Sequence, residues 1–183
     1  RCFRLQGVVC HAQVLERECF KCCYALETVV LGGQLQVVPA SAFRFCDALQ
    51  SVTISGNVHN IGPNVFENCV RLSHVDLSGS SLTAIKEVAF CNCESLKKIV
   101  IPKQVAEINA RAFQGCTSLE TLILNGGHPA HPHSQLPLSH RNELVYLALL
   151  QGFLHPDIEE RAFQECGRLA EVGFPGSSHS IEY

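Results

Sequence analysis

Eleven cysteines and nine histidines are the side chains of this 183-residue chain best suited to chemistry. Cys19, Cys22 and Cys23 form C-x-x-C-C, a spacing that offers thiolates to zinc or a dithiol to redox exchange. A closed tetrahedral zinc site needs about four ligands, and no second cysteine pair of matching spacing follows. Nor does a strand-helix-strand pattern surround these residues, as a dithiol redox motif would require. The other candidate is the run from Gly126 to His133, in which His128, His131 and His133 could present imidazoles to zinc, copper or nickel. Pro129, Pro132 and Pro137 hold that stretch extended, and no carboxylate or thiol stands among these histidines. Residues 126–137 therefore read as an irregular, exposed His/Pro-rich loop. No cofactor is expected, with His128, His131 and His133 the fallback metal ligands.

Catalytic constellations are missing from the sequence. It contains no G-x-S-x-G, no phosphate-binding glycine loop, no H-E-x-x-H and no dinucleotide fingerprint. The acidic group Asp157-Ile158-Glu159-Glu160 reads as a solvated turn. The chain is expected not to be an enzyme.

Most of the cysteines have a different explanation, which lies in the elements that must position them. One phrase recurs: Phe, two residues, Cys, two residues, Leu, two residues, an aliphatic residue, one residue, and a second apolar residue. Its copies begin at Phe20 (Cys23, Leu26, Val29, Leu31), Phe43 (Cys46, Leu49, Val52, Ile54) and Phe66 (Cys69, Leu72, Val75, Leu77). Others begin at Phe90 (Cys93, Leu96, Ile99, Ile101), Phe113 (Cys116, Leu119, Leu122, Leu124) and Phe163 (Cys166, Leu169, Val172, Phe174). Successive steps are 23, 23, 24 and 23 residues, followed by one of 50. A degenerate copy fits that gap in two steps of 25, with Leu138 for Phe, Arg141 for Cys, then Leu144, Leu147 and Leu149. A partial copy, Cys2, Leu5, Val8 and Cys10, precedes the first, and Ile181 stands where another would start. Residues 1–183 thus read as a single array of about seven repeats with partial copies at both ends, cut from a longer polypeptide.

Within one copy, Val52 and Ile54 are two residues apart and share one face of a strand, while Ser51, Thr53 and Ser55 face the other way. Gly56-Asn57 and then Gly62-Pro63-Asn64 turn the chain, and a short helical turn is predicted to bring Phe66 and Cys69 back inside. A single unit cannot bury its apolar face, but stacked copies can. Hydrophobic residues at 46% against charged residues at 17% supply enough apolar side chain for such a core. Cys23, Cys46, Cys69, Cys93, Cys116 and Cys166 occupy one repeat position and are expected inside it as small hydrophobes.

The stretch from Ile101 to Leu119, I-P-K-Q-V-A-E-I-N-A-R-A-F-Q-G-C-T-S-L, resembles the BspA-like leucine-rich repeat, and the likeness extends over nearly the whole chain. The resemblance implies a leucine-rich-repeat solenoid, an α/β repeat with a parallel β-sheet on one face and short helical turns on the other. It also implies a surface or secreted protein that binds other proteins or host matrix.

A solenoid of this kind presents the outward strand residues as an extended surface. Its first half is small and polar, with His74 and Asp76 at the end of that half. From residue 100 it turns apolar, with Val100, Ile123, Tyr146, Ala148 and Leu150 predicted as neighbours on adjacent strands. Together these residues are the expected contact surface for a protein partner. A net charge of -3 without a Lys/Arg block argues against nucleic acid. No apolar run reaches the roughly 18 residues of a membrane span. The reading is thus a protein-interaction or adhesion module. The alternative is a spacer or stalk whose function lies in flanking domains.

Overall fold

The computed structural model describes residue 2 and residues 4–125, 157–158 and 161–173. The chain winds as a parallel β-solenoid whose coils contribute strands to a broad face and, from the second coil on, two-residue strands to a second sheet. On the broad face, β1 (Gly7–Cys10), β2 (Thr28–Leu31), β4 (Ser51–Ser55) and β6 (His74–Gly79) form one parallel sheet in that order. There β6 packs beside β8 (Lys98–Ile101), which opens a second group with β10 (Thr121–Leu124) and β12 (Glu171–Gly173). The narrow sheet runs β3 (Val37–Val38), β5 (Asn60–Ile61), β7 (Ala84–Ile85), β9 (Glu107–Ile108) and β11 (Asp157–Ile158).

The core is the repeat written in space. Leu49, Val52, Ile54, Val58, Ile61, Val65, Phe66 and Cys69 are all buried, and the corresponding residues of the neighbouring coils are buried with them. Six phenylalanine rings stack face to face along the solenoid, Phe20, Phe43, Phe66, Phe90, Phe113 and Phe163 in turn, with centroids 5.1 to 5.5 Å apart. Such a pair is worth about 0.5–1.5 kcal/mol beyond the area it buries.

The predicted helical turns are not there: among the described residues no helix occurs. The chain around each Phe is instead a run of tight turns with a left-handed residue two positions before the ring and another two positions after it. Ser41 and Phe45, Asn64 and Asn68, Val88 and Asn92, and Arg111 and Gly115 all have φ near +60° or slightly above. A left-handed residue every fourth position cannot propagate a right-handed helix. The hydrogen bonds show what this backbone gains. Ala42, Arg44 and Cys46 donate locally to Pro39, Ser41 and Phe43, while Ser41, Phe43 and Phe45 donate to Pro63, Val65 and Glu67 of the next coil. Alternate N–H groups therefore close turns and join coils. At Gly115 a side chain would collide with Asn92 Oδ1.

The thiols complete this side. Cys46, Cys69, Cys93, Cys116 and Cys166 each donate S–H to the carbonyl of the Phe one coil back, over 3.1 to 3.4 Å. A methyl group of similar size would fill the space but leave that lone pair unused.

The place assigned by sequence to the Leu138 copy is occupied by another coil. Thr121, Leu122 and Ile123 pair directly with Glu171, Val172 and Gly173. Phe113 N–H donates to Ala162 O at 2.7 Å, and the Phe113 and Phe163 rings are 5.1 Å apart. Leu138 lies outside the described residues, as does the loop at 126–137. A ring stack and a thiol bond hold each coil to its neighbour, and a Leu/Arg copy supplies neither.

Candidate functional site

The strand alternation fixes which residues face outward. In β4, Val52 and Ile54 are buried while Ser51, Thr53 and Ser55 are half-buried, and β2, β6, β8 and β10 repeat the pattern. Strand pairing lines these residues into rows. One row runs Gly7, Thr28, Ser51, His74, then Lys98 and Thr121 across the junction of the two groups. The next runs Val9, Val30, Thr53, Asp76, then Val100 and Ile123.

The second row is apolar at both ends and polar in the middle. Val9 is 68% exposed and Val30, Val100 and Ile123 are half-buried, with Thr53 and Asp76 between them. Of the residues expected at the site, Val100 and Ile123 are Cα partners on adjacent strands. His74 and Asp76 stand two residues apart on β6. The Cα partner of Ile123 on its far side is Gly173. Tyr146, Ala148 and Leu150 lie outside the described residues, as do His128, His131 and His133. Val9, at the other end of the row, lies between Val8 and Cys10 of the partial copy and pairs with Val30.

Asp76 is held by its own strand. Its Oδ1 accepts from Ser78 Oγ at 2.6 Å and from Ser78 N–H at 2.9 Å. These two bonds, the side-chain one first, hold its carboxyl below the usual range, and His74 adds to the effect against partial burial. Asp76 is an anion at neutral pH. It marks the spot where the register slips: Thr53 faces Asp76, but Ser55 faces Gly79, so the extra residue of the 24-residue step forms a bulge here.

On the opposite side Glu67 gathers donors. Arg44 Nη2 donates to Oε1 at 2.9 Å, Asn64 Nδ2 to Oε2 at 2.7 Å and Asn68 Nδ2 to Oε1 at 3.2 Å. Arg44 Nε comes within 2.7 Å of Oε2 without the alignment of a hydrogen bond. The guanidinium also lies over the Phe45 ring at 4.7 Å. This cluster clamps two coils together and engages both carboxylate oxygens in hydrogen bonds.

The thiols are chemically quiet inside the stack. Burial pushes Cys46 up to about 12, and Cys69 and Cys93 rise for the same reason. For Cys116 contact with the Cys166 thiol is the leading cause, with burial next. Cys91, off the ladder, is raised to about 11 by burial with help from Glu67 and Glu165. Among the described residues no three His, Cys, Asp or Glu side chains converge as metal ligands, and no helix is long and apolar enough to cross a membrane.

Stacked parallel coils, a leucine-rich inward face and one open sheet define a leucine-rich-repeat protein. The chain belongs to the BspA type leucine rich repeat family, whose model matches six copies over residues 13–128. A leucine rich cell surface protein from Faecalibacterium prausnitzii A2-165 is similar in fold, with a TM-score of 0.59 and 22% identity over 87% of this chain and 44% of its own. A leucine-rich repeat protein from Bacteroides ovatus ATCC 8483 has a TM-score of 0.58 and 29% identity, covering 85% of this chain and 33% of its own. The T. pallidum leucine rich repeat protein also has a TM-score of 0.58, with 27% identity over 79% of this chain and 57% of its own. The chain thus spans between a third and somewhat over half of these solved structures. No curated protein matches it.

Proposed function

We propose that this chain is a non-enzymatic protein-binding module that engages a protein partner through the outward rows of its broad face. The observation that carries this reading is the row Val9, Val30, Thr53, Asp76, Val100 and Ile123. The coils repeat their inward residues almost unchanged, while the outward row changes residue by residue from apolar to polar to apolar. A surface needed only for solubility has no call for an apolar pair such as Val100 and Ile123 beside an anchored anion. In a bound complex Val100 and Ile123 supply buried apolar area, while His74 and Asp76 set orientation and exclude partners of like charge. The Faecalibacterium prausnitzii relative is described as a cell surface protein, and we place this chain at a cell surface on that analogy.

A retention experiment tests this. The chain and a Val100→Asp, Ile123→Asp variant of matched melting temperature are immobilised and offered the same mixture of surface and matrix proteins. The reading expects at least one protein held by the parent chain and released by the variant. Equal retention by both would remove these residues from the contact surface. Retention of nothing by either would favour a spacer.

A further inference from the structure

Four cysteines border one cavity at the β1 end of the stack. Cys2, Cys19, Cys22 and Cys23 line a cavity of about 350 Å³ together with Glu18 and Lys21. The C-x-x-C-C run gives three of these; the fourth is the Cys of the partial copy that precedes the first repeat. Gly7 pairs with Thr28 and Cys10 with Leu31, and the same offset carried back along both coils sets Cys2 opposite Cys23.

This pair differs from the rest of the ladder. Cys46, Cys69, Cys93, Cys116 and Cys166 spend their S–H on a phenylalanine carbonyl. Cys23 has no ring carbonyl on the preceding coil to receive its S–H, and it lines the same cavity as Cys2. The Cys116 and Cys166 thiols touch, but they are 0% and 2% exposed, out of reach of a dissolved reagent. Cys2 is exposed while Cys23 is buried at 1%. Adjacent parallel strands lie about 4.8 Å apart, within the roughly 4.4–6.8 Å Cα separation that a disulfide accepts.

We propose that Cys2 and Cys23 are a disulfide-forming pair that reacts with small-molecule disulfides of the glutathione type and staples the first coil to the second. The Cys2 thiol loses its proton and attacks one sulfur of oxidised glutathione, whose S–S bond breaks as one glutathione thiolate leaves and takes up a proton. The Cys23 thiol, deprotonated in turn, attacks the Cys2 sulfur of the mixed disulfide and displaces the second glutathione, which is likewise protonated. Cys2 and Cys23 give up two electrons and two protons; the glutathione disulfide receives both and departs as two thiols. Exposure of Cys2 sets where the reaction starts, and the nearness of Cys23 sets where it ends. The buried ladder thiols remain reduced.

The fully reduced chain is incubated with oxidised glutathione without denaturant, its free thiols are alkylated, and tryptic peptides are weighed. Cleavage at Arg4, Arg17 and Lys21 separates Cys2, Cys10, Cys19 and the Cys22-Cys23 pair into different peptides. The expected product joins the Cys2 peptide to the one beginning at Cys22, and it forms undiminished in Cys22→Ser. Cys23→Ser is expected to lose it. Because Cys23 is buried, the exposed Cys2→Ser variant is the companion: it keeps the parent melting curve and leaves Cys23 free to alkylate after unfolding. Linkage of Cys2 to the Cys10 or Cys19 peptide would overturn the assignment. So would loss of the product in Cys22→Ser, or a Cys2 that stays as its glutathione adduct.

Discussion

Two junctions in the stack carry surplus residues, one where the step between rings is 24 residues and one where it is 50, against 23 elsewhere. The first surplus is a single residue, taken up as a bulge between Asp76 and Gly79. The second falls in the sequence between β10 and β11, and the described coils meet on both sides of it: Thr121 pairs with Glu171 and Glu107 with Asp157. The first lies within β6 and the second after β10, and neither disturbs the rings, which stay 5.3 and 5.1 Å apart across the two junctions. The turn side is where length is fixed. There, stacked rings, inter-coil N–H bonds and an S–H bond all specify the same register, so an added residue would break several interactions at once. The opposite arc has no such lock and accepts one residue or many.

Removing a ring strikes at that lock, so it has the largest expected effect. Phe90→Ala and Phe163→Ala should each cost about 3–5 kcal/mol in denaturant unfolding, because both rings are buried in the same stack. A much smaller loss at Phe163 would break the equivalence of the two junctions. Deleting residues 126–152 leaves an arc of the same length as the one between Ile101 and Glu107. The cooperative melting transition should survive, since the rings and strands on either side already meet. Loss of the transition would show that the deleted residues belong to the stack.

A smaller gain is expected at Val88, a β-branched residue at φ 58° in the position where the preceding coil has Asn64. Val88→Asn should raise stability by about 1 kcal/mol, because asparagine tolerates the left-handed region better. The smallest effect concerns the bulge. Asp76 has a folded pKa held below its ordinary value, so its contribution is present above the unfolded pKa, near 4, and fades as the pH falls through the folded one. Acid titration of stability should therefore show a slight loss below about pH 4 that Asp76→Asn lacks. Identical acid profiles would mean that the Ser78 bonds do not secure the bulge.

The register of Phe, Cys and Leu was legible in the sequence because each does a job that few other residues do. The ring stacks, the thiol donates to a carbonyl, and the leucine starts the strand. The same register separated the inward residues from the outward rows, including His74, Asp76, Val100 and Ile123. The turns were not legible. Left-handed positions usually announce themselves as glycine or asparagine, yet around the rings they also hold Cys22, Phe45, Val88 and Arg111. Inter-coil bonds impose the conformation against local preference, and no local signal records it. The 50-residue step divides evenly into two near-repeat steps, and leucines at 138, 144, 147 and 149 fall at the right spacing for a further copy. What Leu138 and Arg141 lack is the ring and the thiol, the two groups that bind coil to coil. Cys2 stands at the Cys position of the partial copy, so the repeat phrase already sets it level with Cys23, and strand pairing repeats that offset at Gly7–Thr28 and Cys10–Leu31.

The central claim is that the Phe113 coil rests directly on the Phe163 coil, and a pair of introduced cysteines tests it most directly. Thr121 and Glu171 are Cα partners, so Thr121→Cys with Glu171→Cys should form a disulfide under mild oxidation. It should form as readily as the control pair Lys98→Cys with Thr121→Cys, which joins two coils of ordinary spacing. A linked 121–171 peptide in the digest is the expected result. If the control pair links while the 121–171 pair does not, a coil stands between them, at about twice the strand spacing, and the account is wrong.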